Sequence, residues 1–254
     1  MDLIVNLNPA SVLDIGIGFG KYGFLCREYL ELWDGRENYS EFLRRIDGVE
    51  VFENYITPMH DFVYNHLYVR DISKIIDELN FSYDLVLLVD VLEHFNKCEG
   101  KVLLTKILGN NKGVLISTPK NPSNQKDAFN NIYETHRARW TKQELSSLHS
   151  SSSSSSSSFF IRDSTHLIAY IGRKESVKRL ARKLAVRYLK KVPAMPFLIQ
   201  SYLRFAKKAG ILSIVPFLSF FASFQQQSNN NILDGNTTMV INQMFSIVNN
   251  YISN

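Results

Sequence analysis

The sequence predicts an α/β fold in which a doubly wound, mostly parallel sheet ends in an antiparallel edge hairpin. Short apolar runs alternate with stretches long enough for a crossover helix, which is typical of a parallel sheet covered on both faces. The run 85–89 is uninterrupted and apolar, as a central strand requires. Residues 159–173 have the pattern of two strands joined by a tight turn at Asp163 and Ser164.

The predicted elements follow one another in a regular order along the first 172 residues. The parallel strands are expected at 11–15, 46–52, 66–71, 83–91 and 113–118. Tyr22, Leu25, Cys26 and Tyr29 repeat at helical spacing, so the first strand leads into a helix across a glycine-rich turn. The serine run 150–158 precedes the hairpin, and we expect it to form a flexible loop or linker.

The composition is that of a globular cytoplasmic protein. A chain of 254 residues with 45% hydrophobic and 21% charged residues can bury a sizeable core. Cys26 and Cys98 make neither a disulfide framework nor a C-x-x-C metal pair, which fits a reducing compartment. The first residues lack the basic and apolar segments of a secretory signal, so we expect a cytoplasmic location.

The segment 13–23, LDIGIGFGKYG, carries four glycines in eight positions and has two interpretations. Counted from Gly18, it reads G-x-G-x-x-G, which indicates a dinucleotide site. Counted from Asp14, it reads D-x-G-x-G-x-G, the pattern of S-adenosylmethionine enzymes. The acid that ends the next strand, Glu50, follows Gly23 by 27 residues, whereas the dinucleotide pattern expects about 20.

Acidic residues end most of the predicted parallel strands. The five residues at these ends are Asp14, Glu50, Asp71, Asp90 and Thr118. Ligands of such sheets bind at this edge, and phosphate sites there gather amide groups and basic side chains. Acidic strand ends favour a cationic or hydroxyl-rich ligand instead. S-adenosylmethionine is such a ligand, because it carries a sulfonium, an ammonium and a ribose diol.

Four segments, in this order and spacing, resemble the motifs of class I S-adenosylmethionine-dependent methyltransferases, whose fold is Rossmann-like. They are VLDIGIGFG (12–20), GVEVF (48–52), VRDI (69–72) and YDLVLLVDVLEHF (83–95), and the resemblance covers about residues 11–172. It implies that Asp14 lies near the methionine end of the cofactor. It also implies that the backbone approaches the cofactor at Gly16, Gly18 and Gly20.

The same resemblance assigns roles to the later strand ends. Glu50 would accept hydrogen bonds from both ribose hydroxyls, the alternative being a solvated strand end. Asp71 and Ile72 would meet the adenine, although Asp71 is also an ordinary N-cap for the helix that follows, and both roles stay open. Asp90 would end the central strand beside the methyl group that is transferred.

A second group of residues concerns the chemistry. A polar loop at 119–133 leads into YETHRARWT (133–141). The ubiquinone-pathway O-methyltransferases and small-RNA 2′-O-methyltransferases have a similar acid-x-x-Glu-His group after the fourth strand, and the latter have a later histidine four residues before a tryptophan. The matching residues here are Asp90, Glu93, His94, His136 and Trp140.

The resemblance implies two uses for Glu93, His94 and His136. They would hold a divalent metal that polarises the acceptor hydroxyl, or His136 would act as a general base or substrate contact. Mixed carboxylate and imidazole ligands suit several divalent metals and specify none. The Glu-His pair also occurs in class I enzymes without a metal, where it structures the loop, so a purely structural role stays open.

Two features depart from the family pattern. The first strand begins about ten residues from Met1, so we expect the N-terminal helices that often cover the substrate to be missing. Something else must then cover the methyl group, or the acceptor must be large. The serine run is the other departure, and no chemistry is assigned to it.

Charge divides the chain into two regions, 1–172 and 173–254. Residues 1–172 contain 17 basic and 22 acidic residues, a net charge of −5, whereas 173–208 contain 12 basic residues and one acid, a net charge of +11. Residues 173–191 have an apolar helical stripe among basic side chains, and an apolar, aromatic stretch without a clean run of about 20 residues follows. We expect a helical extension that caps the sheet or contacts an anionic membrane surface through 173–224, nucleic acid being the less favoured partner.

The sequence therefore predicts a methyltransferase that acts on a hydroxyl or other heteroatom of a small-molecule or lipid-like acceptor. Two alternatives of different classes remain. One is an NAD(P)-dependent oxidoreductase on a similar sheet, and the other is a non-catalytic binding protein with a relict cofactor site.

Overall fold

The structure is a computed structural model that describes residues 1–32, 38, 41–152 and 156–189. The chain divides into two compact units, Met1–Val177 and Lys178–Asn254. The predicted extension at 173–254 lies outside the described residues except for its first helix, which spans Lys174–Leu189. Among the helices that are described, none has both the length and the apolar character that crossing a bilayer requires.

The first unit is built on a seven-stranded sheet. The strands are β1 (Ser11–Ile15), β2 (Arg45–Glu50), β3 (His66–Val69), β4 (Leu85–Val89), β5 (Gly113–Pro119), β6 (Ser156–Ile161) and β7 (His166–Arg173). Their order across the sheet is β3-β2-β1-β4-β5-β7-β6. The strands β1 to β5 pair in parallel, whereas β7 is antiparallel to both β5 and β6. The predicted α/β fold with an antiparallel edge hairpin is confirmed.

Helices connect the strands. They are α1 (Asp2–Leu7), α2 (Lys21–Leu30), α3 (Pro58–Val63), α4 (Ile72–Ile75), α5 (Lys97–Asn110), α6 (Lys142–Ser152) and α7 (Lys174–Leu189). Three 3₁₀ turns, Glu53–Tyr55, Leu92–His94 and Ile132–Glu134, lie after the carboxyl ends of strands. These turns carry several of the residues that build the site.

One short helix precedes β1, and it contributes no residue to the cavity described below, so the absence of substrate-covering N-terminal helices stays a prediction. Helix α1 buries Leu3 and Ile4, and Asp2 lies in its first turn, where a negative charge is favourable. Asn8 ends the helix in a left-handed conformation with φ of 52°, which asparagine tolerates. Helix α1 packs against α2.

The prediction of a loop for the serine run is wrong at both ends of the run. Residues 150–152 continue helix α6, and Ser156, Ser157 and Ser158 begin the edge strand β6. Ser157 and Ser158 are buried and pair with Gly172 and Ile171 of β7. The backbone groups of these serines are paired with β7, so the strand forms although its sequence here is a homopolymer.

The core surrounds the central strands. Leu85, Val86, Leu87 and Leu88 of β4 are all buried, as expected for a strand with helices on both faces. Burial of each such side chain contributes about 1.5–3 kcal/mol to folding. This packing fixes the carboxyl ends of β1, β2 and β4 relative to one another, and the site lies at those ends.

Candidate functional site

A cavity of about 250 Å³ lies at the carboxyl ends of the parallel strands. Six of the eight predicted cofactor residues line it, namely Gly16, Gly18, Glu50, Asp71, Ile72 and Asp90. Asp14 and Gly20 lie next to it but do not contribute to its lining. Ile15, Val49, Val91 and Phe95 give the cavity an apolar floor between these polar groups.

The glycine-rich turn between β1 and α2 forms one wall of this cavity. Gly16, Gly18 and Gly20 have φ angles of 72°, 51° and 79°, a left-handed conformation that favours glycine. A Cβ atom added at Gly16 would lie 2.5 Å from Cγ2 of Val91, whereas one added at Gly18 would meet no atom within 4 Å. Gly16 is therefore needed for packing, while Gly18 leaves open space beside the cavity.

Gly23 has a packing role in the same segment. A Cβ at Gly23 would lie 2.4 Å from ring atoms of Tyr64. This glycine therefore allows α2 to pack against the residues that follow α3. The G-x-G-x-x-G reading thus depends on a glycine that serves packing.

Glu50 is held at the end of β2 by three backbone amides. Its Oε2 accepts from the N–H of Gly18 at 3.0 Å, and its Oε1 accepts from the N–H groups of Val51 and Phe52, both at 2.9 Å. A carboxylate has about four acceptor positions, so one remains on Oε2. A diol that uses both oxygens would have to displace one of the three amide bonds.

Asp71 caps helix α4 and lines the cavity as well. Its Oδ1 accepts from the N–H of Ser73 at 2.9 Å and from the Ser73 hydroxyl at 2.7 Å. Within the described residues no hydrogen bond uses Oδ2, so that oxygen is left for a ligand. The cap and the cavity position are therefore compatible, and Ile72 beside it is buried.

Asp14 lies below the glycine-rich turn and is only 3% exposed. Its Oδ2 accepts from the hydroxyl of Tyr64 at 2.7 Å. Burial raises the pKa of Asp14 to about 6, and the nearby Glu50 carboxylate adds to this, while the bonds from Tyr64 and the Gly23 backbone act in the opposite direction. The structure thus places this carboxyl beneath the turn.

Asp90 follows β4 with a φ of 55°, an uncommon conformation for a residue other than glycine. Its N–H donates to the Ser117 carbonyl at 2.8 Å, and Oδ1 lies 3.6 Å from Nε2 of His166. The backbone bond to β5 holds this residue at the cavity rim. Backbone strain of this kind often occurs at functional sites.

Glu93, His94 and His136 form one cluster, whose potential ligand atoms all lie within 4.8 Å of one another. Of the three, only His94 lines the cavity. Nδ1 of His94 lies 3.2 Å from the Thr135 carbonyl, and Nδ1 of His136 lies 2.9 Å from the Ser123 carbonyl. A carbonyl can only accept, so each Nδ1 carries a proton and, in the neutral ring, each Nε2 keeps a lone pair.

Glu93 is the buried member of this cluster. Burial is the main reason that the pKa of its carboxyl is raised. Within the described residues its Oε2 makes no hydrogen bond of good geometry, although the hydroxyl of the buried Thr118 lies close enough to oppose the rise in this pKa. An unpartnered buried carboxylate oxygen is costly, so a cation or a proton at this position would stabilise it.

Four hydrogen bonds fasten the two segments of the cluster together. The N–H groups of Arg137 and Ala138 donate to the Glu93 carbonyl at 2.8 and 3.1 Å. Nε1 of Trp140 donates to the Leu92 carbonyl at 3.0 Å, and the His94 ring bonds Thr135 as described. The 3₁₀ turn Leu92–His94 and the segment 135–140 are therefore one structural unit, although more than 40 residues separate them.

Several residues of the site had no sequence signal. Tyr55 and Glu134 both line the cavity, and the Tyr55 hydroxyl donates to Oε1 of Glu134 at 2.9 Å across it. Arg137 lines the cavity from the segment 135–140. His60 of α3 bonds Gly18 of the glycine-rich turn, and Tyr64, the residue after α3, bonds Asp14 of β1. Contacts between residues 40 to 80 positions apart leave no periodic pattern. The polar loop 119–133 and the segment 133–141 pointed to this region but not to these contacts.

Sequence comparison matches no protein-family model and no curated protein. Structural comparison finds the plantazolicin methyltransferase BamL, solved with a desmethylPZN analog and SAH, at a TM-score of 0.50 and 11% identity over 68% of this chain and 83% of that one. An S-adenosylmethionine-dependent methyltransferase from Archaeoglobus fulgidus has a TM-score of 0.47 and 18% identity, over 65% of this chain and 86% of that one. The N-terminal domain of EvdMO1 with SAH bound has a TM-score of 0.47 and 16% identity, over 65% of this chain and 74% of that one.

The first of these comparisons carries the fold assignment. At 11% sequence identity the similarity supports a shared fold, and it does not identify the methyl acceptor of this chain. The antiparallel β7 and the glycine-rich turn after β1 also agree with the fold predicted from the sequence. The first unit of this chain has the Rossmann-like fold of class I S-adenosylmethionine-dependent methyltransferases.

Proposed function

We propose that this protein transfers a methyl group from S-adenosylmethionine to a hydroxyl or other heteroatom of an acceptor. The observation that carries the proposal is the cavity at the strand ends, which places Glu50, Asp71 and the open side of Gly18 around one space. The remaining acceptor position on Oε2 of Glu50 suits one ribose hydroxyl, and the unused Oδ2 of Asp71 suits an adenine amino group. The open space at Gly18 lets a ligand approach the backbone closely.

The charge of the cavity favours this cofactor over a dinucleotide. Five carboxylates line it, those of Glu50, Asp71, Asp90, Glu99 and Glu134. The two arginines of the lining are Arg70, which is paired with Glu78, and Arg137. A net negative lining attracts a sulfonium and an ammonium and repels a pyrophosphate.

The His94 and His136 rings supply the groups that the transfer needs. The methyl group is already electrophilic, so the protein must orient the acceptor and receive its proton. With Nδ1 held by carbonyl oxygens, Nε2 of either ring can accept that proton. His94 lies on the cavity wall, and we assign it the closer position to the acceptor.

A divalent metal is compatible with the same cluster. The donors are one carboxylate oxygen of Glu93 and one imidazole nitrogen each of His94 and His136, and the orphaned Oε2 of Glu93 fits a cation. A bound metal would lower the pKa of an acceptor hydroxyl. This donor set would suit Mn²⁺, Fe²⁺ or Zn²⁺.

The acceptor we propose is a small apolar or lipid-like molecule. Apolar side chains on the loops around the cavity are strongly exposed, with Phe19 at 75% and Phe129 at 78%. Ile132 and Tyr133 are exposed on the same loop as Phe129, and Tyr133 also lines the cavity. Phe19 stacks on Tyr55 of the cavity lining with ring centroids 6.2 Å apart, and exposed apolar side chains beside a cavity are typical of a binding surface for an apolar molecule.

Methyl transfer is tested with S-adenosylmethionine labelled in its methyl group and a fractionated extract of small molecules and lipids. We expect label in at least one fraction with the wild-type protein and none with Gly18→Asn, whose side chain would enter the open space. Parallel reactions with EDTA, and with EDTA followed by Mn²⁺ or Zn²⁺, separate metal-dependent transfer from transfer through the histidines alone. Wild-type protein that labels no fraction would contradict the proposal.

A further inference from the structure

His60 is a buried histidine outside the cavity, and it contacts the glycine-rich turn from α3. Its Nε2 lies 2.9 Å from the Gly18 carbonyl. The ring also packs beside Gly20, where an added Cβ would lie 3.3 Å from Cδ2 of His60. The ring is fully buried and does not line the cavity.

The hydrogen bonds of the ring determine its tautomer. The Gly18 carbonyl can only accept, so Nε2 carries a proton and donates. In the neutral ring Nδ1 then accepts from the backbone N–H of Thr57 at 3.0 Å. The Thr57 carbonyl, 3.2 Å from Nδ1, already accepts from the His60 N–H at 2.9 Å. The capping box of α3 thereby fixes the direction in which the ring donates.

Gly18 connects this ring to the cavity. The carbonyl of Gly18 accepts from His60, while the N–H of the same residue donates to Oε2 of Glu50 at 3.0 Å. The two bonds lie on opposite ends of one residue whose left-handed backbone has no Cβ to restrain it. The peptide that carries the Gly18 N–H is also held at its carbonyl end, because the Ile17 carbonyl accepts from the Gly20 N–H at 2.8 Å. The bond from His60 holds the next peptide, so loss of that bond loosens the backbone of Gly18 on the side away from Glu50.

We propose that His60 is a positioning residue that acts through Gly18 to set the Glu50 carboxylate for the cofactor. The inference deepens the proposed function and rests on it for the identity of the ligand. His60 itself does not touch the ligand. It fixes the turn so that Glu50 keeps one amide partner on Oε2 and presents the remaining acceptor position to the cavity.

Two substitutions of His60 by an amide side chain distinguish its bond to the Gly18 carbonyl from its bond to the Thr57 N–H. His60→Gln places an amide N–H₂ near the position of Nε2 and can still donate to Gly18. His60→Asn reaches only the position of Nδ1 and loses that donor. Asp61→Asn, an exposed neighbour on the same helix, is the matched control.

Calorimetric titration with S-adenosylhomocysteine measures the effect on the site. We expect His60→Asn to weaken binding about tenfold, because a buried carbonyl loses its partner, and His60→Gln to restore most of the loss. Asp61→Asn should bind as the wild type does. In a Glu50→Gln background, His60→Asn should have little further effect, because the two residues act in series. Equal losses in His60→Gln and His60→Asn, or additive effects with Glu50→Gln, would overturn the proposal.

Amide hydrogen exchange without a ligand tests the same connection independently of the cofactor. We expect the Gly18 amide to be protected in the wild type and in His60→Gln, and to exchange at least tenfold faster in His60→Asn, while the amides of β1 are unchanged. Equal Gly18 protection in all three proteins would overturn the role of His60. If the wild type shows this exchange pattern but does not bind S-adenosylhomocysteine, the proposed function fails while the link from His60 to Glu50 stands.

Discussion

Gly16 and Gly18 share a left-handed backbone but have different surroundings. Val91 blocks a side chain at Gly16, while nothing within 4 Å blocks one at Gly18. Only the second position is therefore a clean probe of the cavity. At the residue scale, a glycine motif combines positions needed for folding with positions needed for a ligand, and the sequence pattern does not distinguish them.

This contrast gives a first prediction. Gly16→Ala should lower the free energy of unfolding by about 1–3 kcal/mol, because it combines an overpacked Cβ with a strained backbone. Gly18→Asn should change it by less than about 1 kcal/mol, because asparagine tolerates this conformation. It should still abolish S-adenosylhomocysteine binding. Urea unfolding and calorimetric titration measure the two effects, and tight binding by Gly18→Asn would contradict the assignment.

Asp14 gives a prediction on pH. Its pKa is about 6 in the folded protein against 3.8 for the ordinary carboxyl, so the folded state holds the proton more tightly. The stabilisation is fully present below pH 4 and is lost as the pH rises through 6. Relative to Asp14→Asn, which carries no titrating proton, the wild type should lose on the order of 3 kcal/mol between pH 4 and pH 7.

Urea unfolding of both proteins at several pH values measures this difference. Asp61→Asn serves as the control, because Asp61 is exposed. A difference between wild type and Asp14→Asn that is constant from pH 4 to pH 7 would show that Asp14 titrates normally. It would then also show that burial beneath the turn does not raise the pKa of this carboxyl.

At the scale of elements, the strands could be predicted because burial on both faces leaves uninterrupted apolar runs. The expected 11–15 strand coincides with β1, and the hairpin after residue 159 is present. The serine run could not be interpreted, because a homopolymer has no periodicity and β6 depends on its partner β7. The contacts of His60 and Tyr64 could not be predicted either, since each joins residues more than 40 positions apart.

The segment 135–140 and the 3₁₀ turn Leu92–His94 give an element-scale prediction. Trp140→Phe keeps most of the buried ring but leaves the Leu92 carbonyl without its donor. We expect a loss of about 1–3 kcal/mol in unfolding free energy and weaker methyl transfer, because the turn carries Glu93 and His94. Gln143→Ala, an exposed position in the first turn of α6, should affect neither quantity. Unchanged stability in Trp140→Phe would contradict the role of this bond.

At the scale of the whole molecule, charge separates an acidic region, 1–172, from a basic one, 173–208. The net charge of +11 over 173–208 should draw the full chain to vesicles that contain phosphatidylglycerol. Raising the salt concentration to 1 M should release it, because the screening length falls from about 10 Å to about 3 Å. Co-sedimentation with these vesicles and with neutral phosphatidylcholine vesicles measures the preference, and equal binding to both would contradict it.

The cofactor is the central claim, and one titration tests it most directly. The full chain at pH 7.5 is titrated by calorimetry with S-adenosylhomocysteine and, separately, with NADH. Saturable binding of one S-adenosylhomocysteine per chain, with no heat from NADH, is the predicted result. Binding of NADH without S-adenosylhomocysteine, or binding of neither, would contradict the account.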